Sequence, residues 1–183
     1  TVLKHLNAKH FNDETPNEVS DVYEINEYQK SQQYKKTNYK YNIITSLFSL
    51  ITTLGFFFFN GFSIVDNIAR EFSNNIIIIT LIFFGIIMIG SEIISIPFSL
   101  YKTFIIEEKF GFNKTSKKTF FLDQLKGLLM SATLGGIILA LITWFYKFTG
   151  VHFWLYAWVL ITIFSLFMNM FYSKIIVPLF NKQ

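Results

Sequence analysis

The sequence contains no cysteine, which excludes disulfide bonds and all thiolate chemistry in this chain. Histidine is also scarce: His5 and His10 lie in a polar stretch, and His152 stands alone. This spacing does not match a zinc site, and no Ser/His/Asp or phosphate-binding glycine pattern replaces it. We therefore predict no catalytic and no metal-binding residue in this chain, and we interpret the three histidines as surface residues.

Charge is missing from long stretches of the chain. Residues 41–65 contain no ionisable side chain except tyrosine, a run of roughly 25 residues where roughly 20 suffice to cross a bilayer. The chain is 52% hydrophobic and 19% aromatic, more apolar than a soluble domain of 183 residues. The basic residues that give the net charge of +4 lie between the apolar runs, so we do not expect nucleic-acid binding.

The apolar runs predict an all-α fold, a polytopic transmembrane helical bundle with a cytosolic juxtamembrane helix. We divide the chain into a polar, helical cytosolic segment, 1–40, and a transmembrane domain, 41–183. Thr15–Glu18 has the form of a capping box that would start a helix in the polar segment. About four spans are predicted, at about 41–61, 76–101, 122–146 and 153–172, with an interfacial connector at 63–72 and a kink at Pro97.

Lysine placement predicts the orientation, because loops rich in lysine stay on the cytoplasmic side. The loops of the opposite side carry only Arg70 and Lys147 as basic residues. We therefore place the N-terminal segment, the loop between the second and third spans, and the C-terminal end in the cytoplasm. The lysines on this side are Lys30, Lys35, Lys36, Lys40, Lys102, Lys109, Lys114, Lys117, Lys118 and Lys126.

Polar and small residues stand out inside the spans. Glu92 lies within the second span, where an ionised group is costly unless it meets water or a partner. It either faces a hydrated cavity or is a protonated or hydrogen-bonded packing residue. The third span carries small residues one turn apart, a spacing that allows helices to approach closely. We interpret them as packing residues within the bundle, with a dimer interface as the alternative: Gly127, Ser131, Gly135 and Gly136.

A charged loop broken by a glycine, Glu107–Lys114, lies between the second and third spans, and we call it the motif loop. Gly111 permits a tight turn, and Asn113 or Thr115 can cap the following helix. The loop belongs to a motif that continues beyond it. The motif residues are Glu107, Glu108, Phe110, Gly111, Phe112, Asn113 and Lys114 in the loop, then Asp123 and Lys126, and then Pro178, Phe180, Asn181 and Lys182.

Together with Ile96–Tyr101, these residues resemble the N-terminal membrane domain of type I CAAX prenyl proteases, zinc metalloproteases related to the HtpX heat-shock proteases. The HExxH zinc motif of that family is absent from this chain. The resemblance implies that a catalytic domain carrying zinc follows in the same polypeptide, and that one further membrane helix precedes Thr1. Ser173–Lys174 departs from the family, which tends to have a proline after the tyrosine.

The resemblance also implies the role of this chain and its partners. The chain would wall the protease chamber, with the lipid bilayer, the catalytic domain and a peptide or prenylated-protein substrate as its partners. The whole protein would process the C-termini of CAAX proteins or, if bacterial, serve membrane-protein quality control. Composition favours a bacterial inner membrane, with the endoplasmic reticulum membrane as the eukaryotic equivalent. The alternative is a non-enzymatic four-span protein, an assembly factor or a small transporter subunit.

Overall fold

The structure is a computed structural model that describes residue 8 and residues 25–180. Within these residues the chain is helical and forms no strand, which confirms the all-α fold. The elements are α1 (Ile25–Phe58), α2 (Gly61–Phe72), α3 (Ile76–Tyr101), a π-helical segment (Lys102–Glu107), α4 (Glu108–Phe110), α5 (Lys117–Thr149), a 3-10 turn (Gly150–His152), α6 (Phe153–Ile175) and α7 (Val177–Phe180).

In the described part of the chain, three helical segments are long and apolar enough to cross a membrane: Asn26–Phe58, Ile76–Phe110 and Lys117–Lys174. The third contains α5 and α6, which turn back on each other around Gly150, where φ is 54°. The rings of Tyr146 and Phe153 meet across this turn with centroids 5.3 Å apart. The predicted helical membrane bundle is confirmed, while the division at residue 40 and the individual span limits remain predictions.

The apolar side chains of these helices point largely outward. Phe58 and Phe59 at the end of α1 are 73% and 81% exposed, and many isoleucines and leucines of α3, α5 and α6 are exposed as well. A water-soluble fold would bury such residues, whereas hydrocarbon chains solvate them at no cost. The exposure of these side chains therefore fits a protein whose solvent is lipid.

The short helix α2 lies where the sequence predicts an interfacial connector. It has 12 residues, too few to cross the hydrocarbon core. Val65 and Ala69 are buried, whereas Asp66 and Arg70 are exposed and form an ion pair of 2.7 Å. The hydrogen bond from Arg70 to Asp66 raises the pKa of the guanidinium above its ordinary value. One apolar and one charged side suit a helix at the boundary between lipid and water.

The contacts divide the chain into two compact units. The first contains the chain up to Gly61 together with residues 91–115, so it holds α1, the end of α3, the π-helical segment, α4 and the motif loop. The second contains residues 62–90 and the chain from Ser116 onward, so it holds most of α2, the start of α3, and α5 to α7.

Pro97 lies inside α3, and the helix continues through it to Tyr101. Proline removes one backbone donor from the helical ladder. The helix then changes register at Lys102, where the π-helical segment begins. Such wide turns occur mostly where a helix is adapted to a particular function. In this chain the wide turn leads directly into the motif loop.

Candidate functional site

The motif loop is closed by two backbone hydrogen bonds at the end of α4. The amide of Gly111 donates to the carbonyl of Glu108 at 3.0 Å, and the amide of Phe112 donates to the carbonyl of Glu107 at 2.8 Å. This pair of bonds is the Schellman motif, which requires a left-handed residue after the helix end. Gly111 supplies it, with a φ of 79°. The turn predicted at this glycine is therefore present.

The side chain of Asn113 connects the two halves of the loop. Its Nδ2 donates to Oε2 of Glu108 at 2.7 Å, and its Oδ1 accepts from the amide of Thr115 at 2.8 Å. The expected helix cap at Asn113 or Thr115 is wrong, because α5 begins later and Ser116 caps it. The Oγ of Ser116 accepts from the amide of Thr119 at 3.1 Å. The side chain of Asn113 instead forms its hydrogen bonds within the loop.

The loop packs on the polar part of α1 through Tyr34. The ring of Tyr34 meets the rings of Phe110 and Phe112 edge-on, with centroids 5.2 and 4.9 Å away. Phe110 is 4% exposed, and Ile106, four residues earlier, is buried as well. Phe112 remains 57% exposed. One aromatic ring thus anchors the loop and leaves part of Phe112, together with the exposed Lys114, available to other molecules.

Two further aromatic residues of α1 continue this contact. The hydroxyl of Tyr41 donates to the carbonyl of Phe98 at 2.9 Å, and its ring stacks on Tyr101 at 6.2 Å. Phe48 packs on Phe98 with ring centroids 4.7 Å apart. Tyr34, Tyr41 and Phe48 are not among the site residues predicted from the sequence. Their signal is the spacing of seven, about two helical turns, which places them on one face of α1.

The second part of the motif is anchored in the other unit. Nζ of Lys126 donates to the carbonyl of Leu179 at 3.0 Å, lies 3.5 Å from Oδ1 of Asp123 and lies 5.9 Å from the centroid of the Phe180 ring. Pro178 is exposed in the first turn of α7, where a missing amide is tolerated. Asn181 and Lys182 lie outside the described residues, as do His5, His10 and the predicted capping box at Thr15–Glu18.

Glu92 is half-buried in α3, and its carbonyl accepts from Oγ of Ser95 at 2.9 Å. Both interpretations of its carboxyl group, a hydrated cavity or a packing contact, remain predictions. Serines and threonines line a shallow groove on α1: Thr45, Ser46, Ser49 and Thr53, together with Leu50. The hydroxyl of Thr45 donates within the helix, to the carbonyls of Tyr41 and Asn42.

The small residues of α5 have open space around them. A Cβ added to Gly127 or Gly135 would meet no atom within 4 Å, and one on Gly136 would meet Cδ2 of Leu81 at 3.8 Å, an ordinary contact. Ser131 is exposed. Among the described residues, no other helix therefore approaches closely at Gly127 or Gly135, although small residues would permit it. Packing within the bundle and a dimer interface both remain predictions.

No group of three or more His, Cys, Asp and Glu side chains placed to hold a metal occurs among residues 25–180 and residue 8. His152 lies in the 3-10 turn between α5 and α6, far along the chain from the motif residues. The described residues therefore do not fit a zinc ion. What they form is two anchored motif clusters, one around Tyr34 and one around Lys126.

Comparison with known proteins gives the chain its family. Residues 4–182 match the family model described as CAAX prenyl protease N-terminal, five membrane helices. The CAAX prenyl protease 1 homolog of Dictyostelium discoideum is 34% identical over an alignment of 161 residues that covers 85% of this chain and 38% of that protein. The probable CAAX prenyl protease 1 of Schizosaccharomyces pombe is 34% identical over 174 residues, covering 85% of this chain and 35% of that protein.

A solved structure agrees with the sequence matches. The crystal structure of S. mikatae Ste24p superposes with a TM-score of 0.90 and 26% identity, covering 99% of this chain and 44% of that one. The chain thus spans well under half the length of these relatives. Because the family model extends over nearly all of its residues, the chain belongs to the CAAX prenyl protease family and represents its N-terminal membrane domain.

Proposed function

We propose that this chain is the membrane domain of an integral-membrane zinc endopeptidase that processes the C-termini of prenylated CAAX proteins. The observation that carries the proposal is the family match over residues 4–182, within which the motif loop is anchored by specific contacts. The relatives are named as CAAX prenyl proteases, and this chain corresponds to less than half of each. Substrate and activity therefore belong to the proposal.

In this proposal the membrane domain does not supply the catalytic centre. The described residues offer no ligand set for zinc, so the metal and the general base belong to a catalytic domain of the same polypeptide. We assign no chemical step to the residues of this chain. Their part is to wall the chamber in which the substrate is held and to exclude lipid from it.

The motif loop is the part of this wall best suited to position a substrate. Its backbone is fixed by the Schellman motif, by Asn113 and by Tyr34, so its exposed groups are presented in one arrangement. Phe112 offers a half-exposed ring and Lys114 a positive charge. An apolar prenyl group and a free C-terminal carboxylate need these two kinds of partner.

The proposed location follows from lysine placement and from the relatives. The lysines near the motif loop favour a cytoplasmic position for the loop and for the C-terminal end. The relatives named above come from eukaryotes, which favours the endoplasmic reticulum membrane over a bacterial inner membrane. The same relatives do not favour the alternative of a non-enzymatic four-span protein.

A cleavage assay tests the proposed activity. The full-length protein encoded by the gene that carries this sequence is purified and incubated with a farnesylated peptide that ends in a CAAX motif, and the products are identified by mass spectrometry. We expect loss of the C-terminal residues, abolished by a zinc chelator and restored by zinc. A folded, zinc-supplemented preparation that leaves the peptide intact would overturn the proposal.

A further inference from the structure

We propose that Lys126 is a positioning residue that fixes the point at which the chain leaves α6. Lys126 lies in the early part of α5, and its Nζ donates to the carbonyl of Leu179, 53 residues later, at 3.0 Å. Leu179 belongs to α7, a helix of four residues. A helix this short leaves its last carbonyls without partners inside the helix, and a donor from another element can supply one. The ammonium group of Lys126 fills that role.

Two further contacts orient the same ammonium group. The ring of Phe180 lies 5.9 Å from Nζ, within the range of a cation–π interaction. Asp123 lies one turn earlier on the same helix, α5, and its Oδ1 is 3.5 Å from Nζ of Lys126. The ammonium group of Lys126 thus lies near the carboxylate of Asp123 on its own helix, and near the carbonyl of Leu179 and the ring of Phe180 on α7. This arrangement directs a flexible side chain toward one carbonyl.

We call the hydrogen bond between Lys126 and the carbonyl of Leu179 the clamp. Local contacts explain why the end of α6 needs it. The amide of Ile176 donates to the carbonyl of Tyr172 at 2.9 Å, and the amide of Leu179 donates to the carbonyl of Ile176 at 3.1 Å. Pro178 has no amide to donate. The helical ladder therefore lacks one donor at Pro178, just after α6 passes into α7. Lys126 ties this junction to α5.

The side chain of Lys126 is 47% exposed, which limits the strength of the clamp but not its direction. The inference deepens the proposed function and rests on it for its catalytic consequence. If the polypeptide continues into a catalytic domain, the clamp sets the path by which that domain leaves the membrane. The clamp itself is independent of any activity.

Hydrogen exchange of the full-length protein, followed by mass spectrometry, tests the clamp. The variants are Lys126→Met, which keeps the length of the side chain, Lys126→Arg, which keeps the donor, and Lys118→Met as the matched control. Lys118 lies near the start of the same helix and makes no ion pair among the described residues. We expect roughly threefold to tenfold faster exchange of residues 172–180 in Lys126→Met only, with residues 107–114 unchanged.

Three results would overturn the inference: unchanged exchange in Lys126→Met, a uniform rise that includes the motif loop, or equal effects of Met and Arg. The farnesylated-peptide assay is run in parallel. If the wild-type protein cleaves the peptide, Lys126→Met should lower kcat/KM and Lys126→Arg should retain it. If the wild-type protein does not cleave it, the proposed function fails, while the exchange data still decide the role of Lys126.

Discussion

The ring of Tyr34 meets the ring of Phe112 edge-on, with centroids 4.9 Å apart, although the two residues belong to segments far apart in the sequence. Tyr34 makes the same kind of contact with Phe110 at 5.2 Å. The polar part of α1 is therefore a support for the motif loop. The polar segment that the sequence predicts as a cytosolic helix thus contacts the motif loop directly.

Replacing Tyr34 by alanine should loosen the motif loop. Each edge-on aromatic pair contributes about 0.5–1.5 kcal/mol, so the loss of two pairs should raise the open population of the loop by roughly tenfold or more. Trypsin reports this directly, because Lys109 and Lys114 are cleavage sites within the loop. We expect faster cleavage in Tyr34→Ala and wild-type rates in Tyr28→Ala, whose ring makes no aromatic contact in the described part of the chain. Equal cleavage in both variants would refute the support role.

Removing the hydroxyl of Tyr41 should cost one hydrogen bond. The carbonyl of Phe98 would lose its side-chain donor, at a cost of about 1 kcal/mol, or roughly 2–4 °C in thermal stability for a chain of this size. Circular dichroism of the detergent-solubilised protein measures the shift in Tyr41→Phe. Tyr101→Phe is the control, since it keeps the stacked ring pair and loses no such bond. A matching loss in both variants would assign the effect to something other than this bond.

Replacing Gly111 by alanine should strain the loop without a steric clash. The atom nearest to an added Cβ is Nζ of Lys30 at 3.9 Å, an ordinary contact, so the cost comes from the left-handed backbone. That cost is about 1–2 kcal/mol for alanine and smaller for asparagine. Hydrogen exchange of residues 107–114 should therefore rise more in Gly111→Ala than in Gly111→Asn. The reverse order would show that Gly111 is needed for another reason.

Alanine at Gly127 or Gly135 should stabilise α5. Neither position has an atom within 4 Å of the new methyl group, and alanine is better than glycine inside a helix by about 1 kcal/mol. Thermal unfolding of the two variants measures the gain. A loss of stability instead, with a change of mass in detergent, would reveal a second chain packed on this face. A loss without a change of mass would reveal a close helix of the same chain.

The fold was predictable because its strongest signals are local. Long apolar runs such as 76–101 have few alternatives to a membrane helix. The turn at Gly111 was also predictable from residue type. The contacts of Tyr34, Tyr41 and Lys126 were not, because they join segments whose separation of 53 to 78 residues carries no local signal. The cap at Ser116 was missed because Asn113, an equally good cap, is used within the loop.

Zinc content distinguishes a membrane domain of a zinc protease from a protein without metal. The full-length protein and a chain ending at Gln183 are purified with zinc, dialysed and analysed by mass spectrometry of the metal. We predict about one zinc ion per full-length chain and none on residues 1–183, since residue 8 and residues 25–180 offer no ligand set. A full-length protein without zinc, or stoichiometric zinc on residues 1–183, would contradict it.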